Sequence, residues 1–320
     1  NTDSALRVSV NATPVLQDLT ATGRLSGIVL EGDTIQKSVT WSACGIPYIV
    51  DTTDLLIGDA DPATPQVTLT IQAGVIVKLR KDSRITVHDR IIAAGDKGSR
   101  VIFTSLADDN TGGDTNGDGT ASSAQPGDWR CIEFPPHSAT DSVLDYCRIS
   151  YGGRSSGVEK RGMLFMDGVS LTVSNSILER SEGDALVFAS SSSGTANACI
   201  FRDSPVGIRI QGSGTPTVDV CLFENHFSPI IMDPSSSPKI TRSRAIGTGR
   251  LGVIVQEGTL TRTAIWHASS MPYILDGAVL TIGDDLPETP PVVLALRPGV
   301  VVKMTTDAGL VVRDVLGGVA

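Results

Sequence analysis

The sequence predicts an all-β solenoid in which parallel coils stack about every 22 residues. Three observations carry that expectation. Short β-branched segments with alternating apolar residues are punctuated by Gly, Asn, Asp, Ser and Pro, and no 3.6-residue period appears anywhere. A column of small residues, Cys147, Ser176, Cys199, Cys221 and Ser243, recurs at spacings of 29, 23, 22 and 22 residues. Aromatics make up only 4% of the chain while glycines number 33, which suits a thin stacked tube with many corners better than a wide globular core.

Along each unit a short strand such as LTVSNSIL or ANACIF leads into a polar corner, ERSEGD or FRDSPVG, and then into a second strand, ALVF or IRI. These connections are too short for crossover helices. Asn-Gly and Asp-Gly dipeptides, the marks of tight hairpins, cluster in one long loop and occur at only two other places, so sandwiches and barrels fit less well. A narrow tube is expected to be lined by Val, Ile, Leu, Ala and Cys, because large rings would overfill it.

A longer repeat overlies the coils. Residues 35–95 align without gaps onto residues 260–320 at an offset of 225, with 22 identities in 61 positions. Trp41, Pro47, Tyr48, Ile49 and Asp51 fall on Trp266, Pro272, Tyr273, Ile274 and Asp276. Gly58, Asp59, Pro62 and Pro65 meet Gly283, Asp284, Pro287 and Pro290. Upstream, Thr22–Gly32 matches Thr248–Gly258 at an offset of 226, so one residue is gained or lost between the blocks. Asn1, Ser4 and Pro14 keep the phase with Asn225, Ser228 and Pro238. Residues 1–24 therefore read as the end of a preceding module, 25–249 as a complete module with an inserted acidic loop at 105–128, and 250–320 as the start of a following one. About ten coils per module at roughly 4.8 Å each predicts an axial repeat of about 45 to 50 Å.

These motifs, TW…PYIV from Thr40, AGVIVK from Ala73, RVIFTS from Arg100, GGDTNGDG from Gly112, PGDW from Pro126 and LDYCRISYGG from Leu144, resemble right-handed parallel β-helix modules of pectin-lyase-like architecture. Such modules occur in large secreted or surface proteins of bacteria. The resemblance covers about residues 24–249 and again 250–320. It implies a right-handed parallel β-helix and an extracellular or cell-surface location. It implies no particular activity, since these helices serve as enzymes, adhesins and rods alike. The chain departs from that pattern where Arg130 and Cys131, rather than small glycines, follow Trp129.

Composition removes other partners. A net charge of -9 without a Lys/Arg cluster gives no means of exchanging phosphate counterions, so nucleic acid is not expected. No run of about 18 apolar residues is present to span a membrane. The five cysteines, Cys44, Cys131, Cys147, Cys199 and Cys221, form no CxxC pair and read as small buried residues.

One loop carries a chemical signature. In DDNTGGDTNGDGT, Asp114, Asn116 and Asp118 are spaced D-x-N-x-D and followed by Gly119, so that alternate oxygens can converge on a hard cation; Asp108 and Asp109 complete the candidate shell. Calcium is the expected ion, in a structural role. The twelfth position is Gln125 where an EF-hand has a bidentate Glu, and no flanking helix is expected.

Catalytic constellations are not found. Asn1-Thr2-Asp3 and Asp108-Asp109 spell two polygalacturonase elements, yet no GHG follows and the spacing is wrong. His88, His137, His226 and His267 lie far apart and read as surface scatter. Asn11 spells a glycosylation acceptor, disfavoured by Pro14. Arg202 with Glu224, and Asp203 with Asn225, are expected to form polar ladders on successive coils, which keep a rod soluble or bind polysaccharide. The function expected is that of a non-catalytic structural or adhesive module, with no catalytic residues assigned. Its expected partners are other copies of the chain, stacked end to end. The alternative is a polysaccharide lyase or hydrolase, or a carbohydrate-binding module, on the same scaffold.

Overall fold

The computed structural model describes residues 5–61, 63–154, 162–247, 249–284, 290–313 and 315–318. Several positions used in the repeat alignment, Asn1, Ser4, Pro62, Thr248 and Pro287, lie outside these, as do Thr2 and Asp3. Among the described residues there are 35 strands and no helix, and therefore no helix long and apolar enough to cross a membrane. From Ile28–Glu31 onward, strands that pair do so in parallel with the third strand along the chain, so each coil contributes one strand to each of three faces. The all-β parallel solenoid read from the sequence is what the chain forms.

The first face is a sheet of 10 strands running from Leu6–Ser9 to Arg244–Ile246. The second has 11 strands, from Thr34–Ile35 to Val302–Met304, and the third has 8, from Val39–Trp41 to Lys239–Thr241. Many strands have three residues with only the middle one inward, as in Thr195–Asn197 and Ile200–Arg202. Alternation with period two permits one inward side chain in such a strand. The coil spacing of 22 holds from residue 195 to residue 246, where Thr195 meets Thr217, Ile200 meets Leu222 and Leu222 meets Arg244. Insertions lengthen other coils; Val101 pairs with Cys147 across the inserted loop.

The small-residue column has a backbone cause. Tyr146, Asn175, Ala198, Val220 and Arg242, each just before a member of the column, adopt φ of 48°, 50°, 53°, 56° and 50°. One residue in the left-handed region turns the chain sharply from third face to first. The next side chain then points into a tight corner with nearby carbonyls. Cys199 Sγ donates to the Val173 carbonyl at 3.4 Å, and Ser243 Oγ to that of Val218 at 3.3 Å. The Ser176 and Ser243 hydroxyls accept from the amides of Cys147 and Cys221 at 2.9 and 3.0 Å. Thiol and hydroxyl are interchangeable here because the corner asks for a short side chain with one donor. All five cysteines are buried, and none forms a disulfide.

Aromatic rings are placed otherwise than expected. Trp129, Phe103, Phe134, Phe188, Phe201 and Phe223 are all fully buried in the tube, and Phe201 stacks on Phe223 with centroids 5.1 Å apart. The bore accommodates rings because a ring can lie flat on its neighbour one coil away. Scarcity of aromatics thus reflects a small core cross-section, not their exclusion from it.

The repeat is structural as well. Trp41 stacks on Tyr48 at 5.2 Å, and Trp266 on Tyr273 at 4.8 Å. Ile28 N donates to the Pro47 carbonyl as Val253 N does to that of Pro272, both at 2.8 Å, an offset of 225. The equivalent Gly27 and Gly252 are each required by close approach, since a Cβ would lie 2.7 and 2.6 Å from those two carbonyls. The alignment therefore slips at Ser26, which has no counterpart between Leu251 and Gly252. Coil counting also changes. Among the described residues, strands from Ile28–Glu31 through Arg244–Ile246 number 25, which at three per coil is eight and a third coils, not ten. The axial length of one repeat is then about 40 Å at a strand spacing of roughly 4.8 Å.

Candidate functional site

The inserted acidic loop leaves the strand Val101–Ser105 and folds back over the first face toward the beginning of the chain. Ser26 N donates to the Thr115 carbonyl at 2.9 Å, and Gly117, at φ 67°, passes so close to Gly23 and Arg24 that a Cβ would lie 2.6 Å from their backbone atoms. Beneath the loop lies Lys78, fully buried in the strand Ile76–Leu79. Its Nζ donates to the carbonyls of Asp108 at 3.0 Å and Gly113 at 2.7 Å. Burial pushes its ammonium down to about 8, against the opposing pull of Asp108, Asp109 and Asp114. Lys78 was missed as a functional residue; the available signal was a lysine inside an otherwise apolar strand, retained as Lys303 in the second copy.

The loop gathers some of the predicted oxygen donors and not others. Oxygens of Asp109, Asp114 and Asp118 come within 4.8 Å of one another. Asp114 is fixed by backbone donors, accepting from Gly117 N at 2.7 Å and Gly119 N at 2.8 Å. Asp118 Oδ2 accepts from Asn116 Nδ2 at 2.9 Å and Ser122 Oγ at 2.5 Å. Two oxygens, Asp109 Oδ1 and Asn116 Oδ1, are shielded from solvent and have no hydrogen-bond partner. Burial, and then the neighbouring Asp114 carboxylate, raise the Asp109 carboxyl above its ordinary range. Asp108 lies apart from this trio. It is buried and turned inward, accepting from Thr104 Oγ1 at 2.6 Å, so it anchors the base of the loop. No helix flanks the loop, because Ser105 and Asp128, bonded at 2.5 Å, return it directly to the solenoid.

Other sequence candidates have structural tasks. His226 is buried, not surface scatter. Its Nδ1 lies 2.6 Å from the Ser204 carbonyl, its ring meets Phe223 edge-on, and burial lowers its pKa. Arg202 turns to Glu179 at 2.5 Å rather than to Glu224, whereas Asn225 Nδ2 does donate to Asp203 at 3.0 Å. The Asn11 side chain is occupied in bridging coils, donating to the Thr34 carbonyl and accepting from Gln36 N.

A second surface feature occurs in both copies of the repeat. A groove of about 440 Å³ lies between Gln36–Ser38 on one side and Gly58, Asp59 and Thr64–Val67 on the other, with Asp89 at its edge. A groove of about 380 Å³ is lined by Thr261–Thr263, Gly283, Asp284 and Pro290–Val292. Corresponding positions line both: Lys37 and Arg262, Ser38 and Thr263, Asp59 and Asp284, Pro65 and Pro290. Neither Lys37 nor Arg262 pairs with a described residue.

Compared with known protein families, residues 137–265 match the model of a right handed beta helix region. No curated protein and no solved structure matches the chain.

Proposed function

On the premise that this chain is a right-handed parallel β-helix, we propose that it is a non-catalytic structural or adhesive module of a secreted repeat protein at a bacterial cell surface. The supporting observation is the second-face sheet, which runs through the repeat boundary without a break. Ile230 pairs with Val253, Val253 with Tyr273, and Tyr273 with Val302. Hydrogen bonds of one repeat thereby propagate into the next, which is how a solenoid transmits stiffness along its axis. The end of any solenoid exposes unpaired amides and carbonyls, which another copy stacked end to end would satisfy. Electron micrographs of the native assembly test this: rods with an axial period near 40 Å are expected, and isolated globular particles would overturn it.

Calcium belongs to the same reading. Asp109, Asp114, Asn116 and Asp118 would hold the ion, with Asp108 acting as anchor. The two partnerless oxygens support this assignment, since shielded acceptors without donors are costly unless a cation meets them. The ion would neutralise the cluster and order the loop. Titration calorimetry on the intact chain should show calcium-dependent heat that disappears in the Asp114→Ala, Asp118→Ala double variant. Equal heats in the two proteins would remove the site.

Polysaccharide binding or processing is the second reading, favoured by the paired grooves with their lone cations. Incubation with acidic polysaccharides, monitored for unsaturated or reducing ends and for retention, tests it separately from rod formation.

A further inference from the structure

The repeat does not contain a whole number of coils, and this has a geometric consequence for anything it carries. Its 25 strands among the described residues divide among three faces with one left over. The leftover strand is visible at the boundary. Ile28–Glu31 opens the first copy on the first face, paired between Leu6–Ser9 and Tyr48–Val50. Its counterpart, Val253–Val255, sits on the second face instead, stacked on Ser228–Met232.

The other two faces are remade at the same level. The first-face sheet ends at Arg244–Ile246 and the third-face sheet at Lys239–Thr241, and new three-stranded sheets begin at Gly258–Leu260 and Ala264–Trp266. Where backbone ladders break, side chains bridge the seam: Ser237 Oγ accepts from Ile265 N at 2.9 Å, and Ser270 Oγ donates to the Ser243 carbonyl at 2.6 Å. A polar hollow of about 560 Å³, between Ser213, Asp233 and Ser235 below and Glu257, Thr259 and Arg262 above, marks the corner from which the new sheet grows.

We infer that the 225-residue repeat is a screw unit, each copy stepping around the solenoid axis to the neighbouring face. In an array, the groove bearing Lys37 and its counterpart bearing Arg262 then point in different directions, about 40 Å apart along the axis at roughly 4.8 Å per coil. Equivalent surfaces wind around the rod and do not form a stripe. Such a rod suits partners approaching from several sides, as neighbouring copies do in a bundle, and a flat surface would meet only some of its repeats. The geometry holds whether or not the rod is adhesive, so failure of the proposed function leaves it standing.

Two measurements test it. In the full chain, Ile231→Cys with Ile254→Cys places thiols on adjacent rungs across the boundary, and oxidised glutathione should cross-link them as completely as Arg209→Cys with Ile231→Cys within the repeat. Cross-linking of the within-repeat pair alone would overturn the inference. Independently, the full chain lengthened by a further copy of residues 25–249, inserted after residue 249, should show in cryo-electron microscopy or a crystal the same non-zero rotation, of the order of one face, at each repeat. Zero rotation between successive grooves would overturn it, and this readout needs no substitution.

Discussion

Glu179 stands between two guanidinium groups supplied by the coils on either side of it. Arg148 Nε donates to its Oε1 at 2.6 Å and Arg202 Nε to its Oε2 at 2.5 Å, while the carboxylate itself is only 1% exposed. Strands Cys147–Ser150, Ile177–Glu179 and Ile200–Arg202 are neighbours in the first-face sheet, so one side chain ties three coils. Replacing Glu179 with Ala leaves two cations facing each other without their shared anion. Removing one partner of a fully buried pair costs about 3–5 kcal/mol; these arginines retain contact with water, so a loss of about 2 kcal/mol is expected, read from denaturant unfolding.

Lys78 tethers the acidic loop from below, and Lys78→Met removes its donors while keeping the aliphatic stem. The carbonyls of Asp108 and Gly113 then lose their partner, at a cost of about 1–3 kcal/mol. Amide exchange should accelerate across residues 106–128 and stay unchanged around Phe201. Uniform acceleration along the chain would show that Lys78 supports the solenoid rather than the loop.

Acidification should weaken the coil containing His226. Burial depresses its pKa, so the unfolded chain binds a proton that the folded chain resists. Its contribution to stability is complete above the unfolded value near 6.5 and is lost as pH falls below it toward the folded value. A His226→Asn variant retains a donor toward the Ser204 carbonyl but does not titrate. The difference in melting temperature between the two proteins should therefore change between pH 7.5 and 5, and a constant difference would contradict this assignment.

Glycine positions offer a paired control. A Cβ on Gly207 would meet the Phe223 ring and the Pro229 carbonyl at 2.6 Å, whereas one on Gly98 would find only Asp96 Oδ1 at 3.5 Å. Neither glycine has positive φ. Gly207→Ala should destabilise by about 1–3 kcal/mol through overpacking. Gly98→Ala should be close to neutral in the same melting assay.

Much of the fold was legible because a solenoid repeats its local instructions. The column Cys147, Ser176, Cys199, Cys221, Ser243 is a one-dimensional record of stacked corners, and the alternation within each short strand names the inward residue. The acidic loop was legible as a spacing of oxygens, but the spacing did not distinguish Asp108, claimed by Thr104, from Asp109, whose oxygen is left over. Nor could it show Lys78, 30 residues before Asp108, lying underneath. His226 read as surface because its burial depends on Phe223 and Ser204, which the chain brings together only by coiling.

The sequence by itself determined the class of fold, the length of the repeat and the identity of the corner residues, since each is written in local period and turn chemistry. Tertiary structure alone decided how many coils fill a repeat, because coil length varies with every insertion and only hydrogen-bonded register counts strands. It also decided on which face the second copy begins. A 225-residue offset is a distance along the chain, whereas Val253 stacking on Ile230 is a fact about the direction in which the chain has turned.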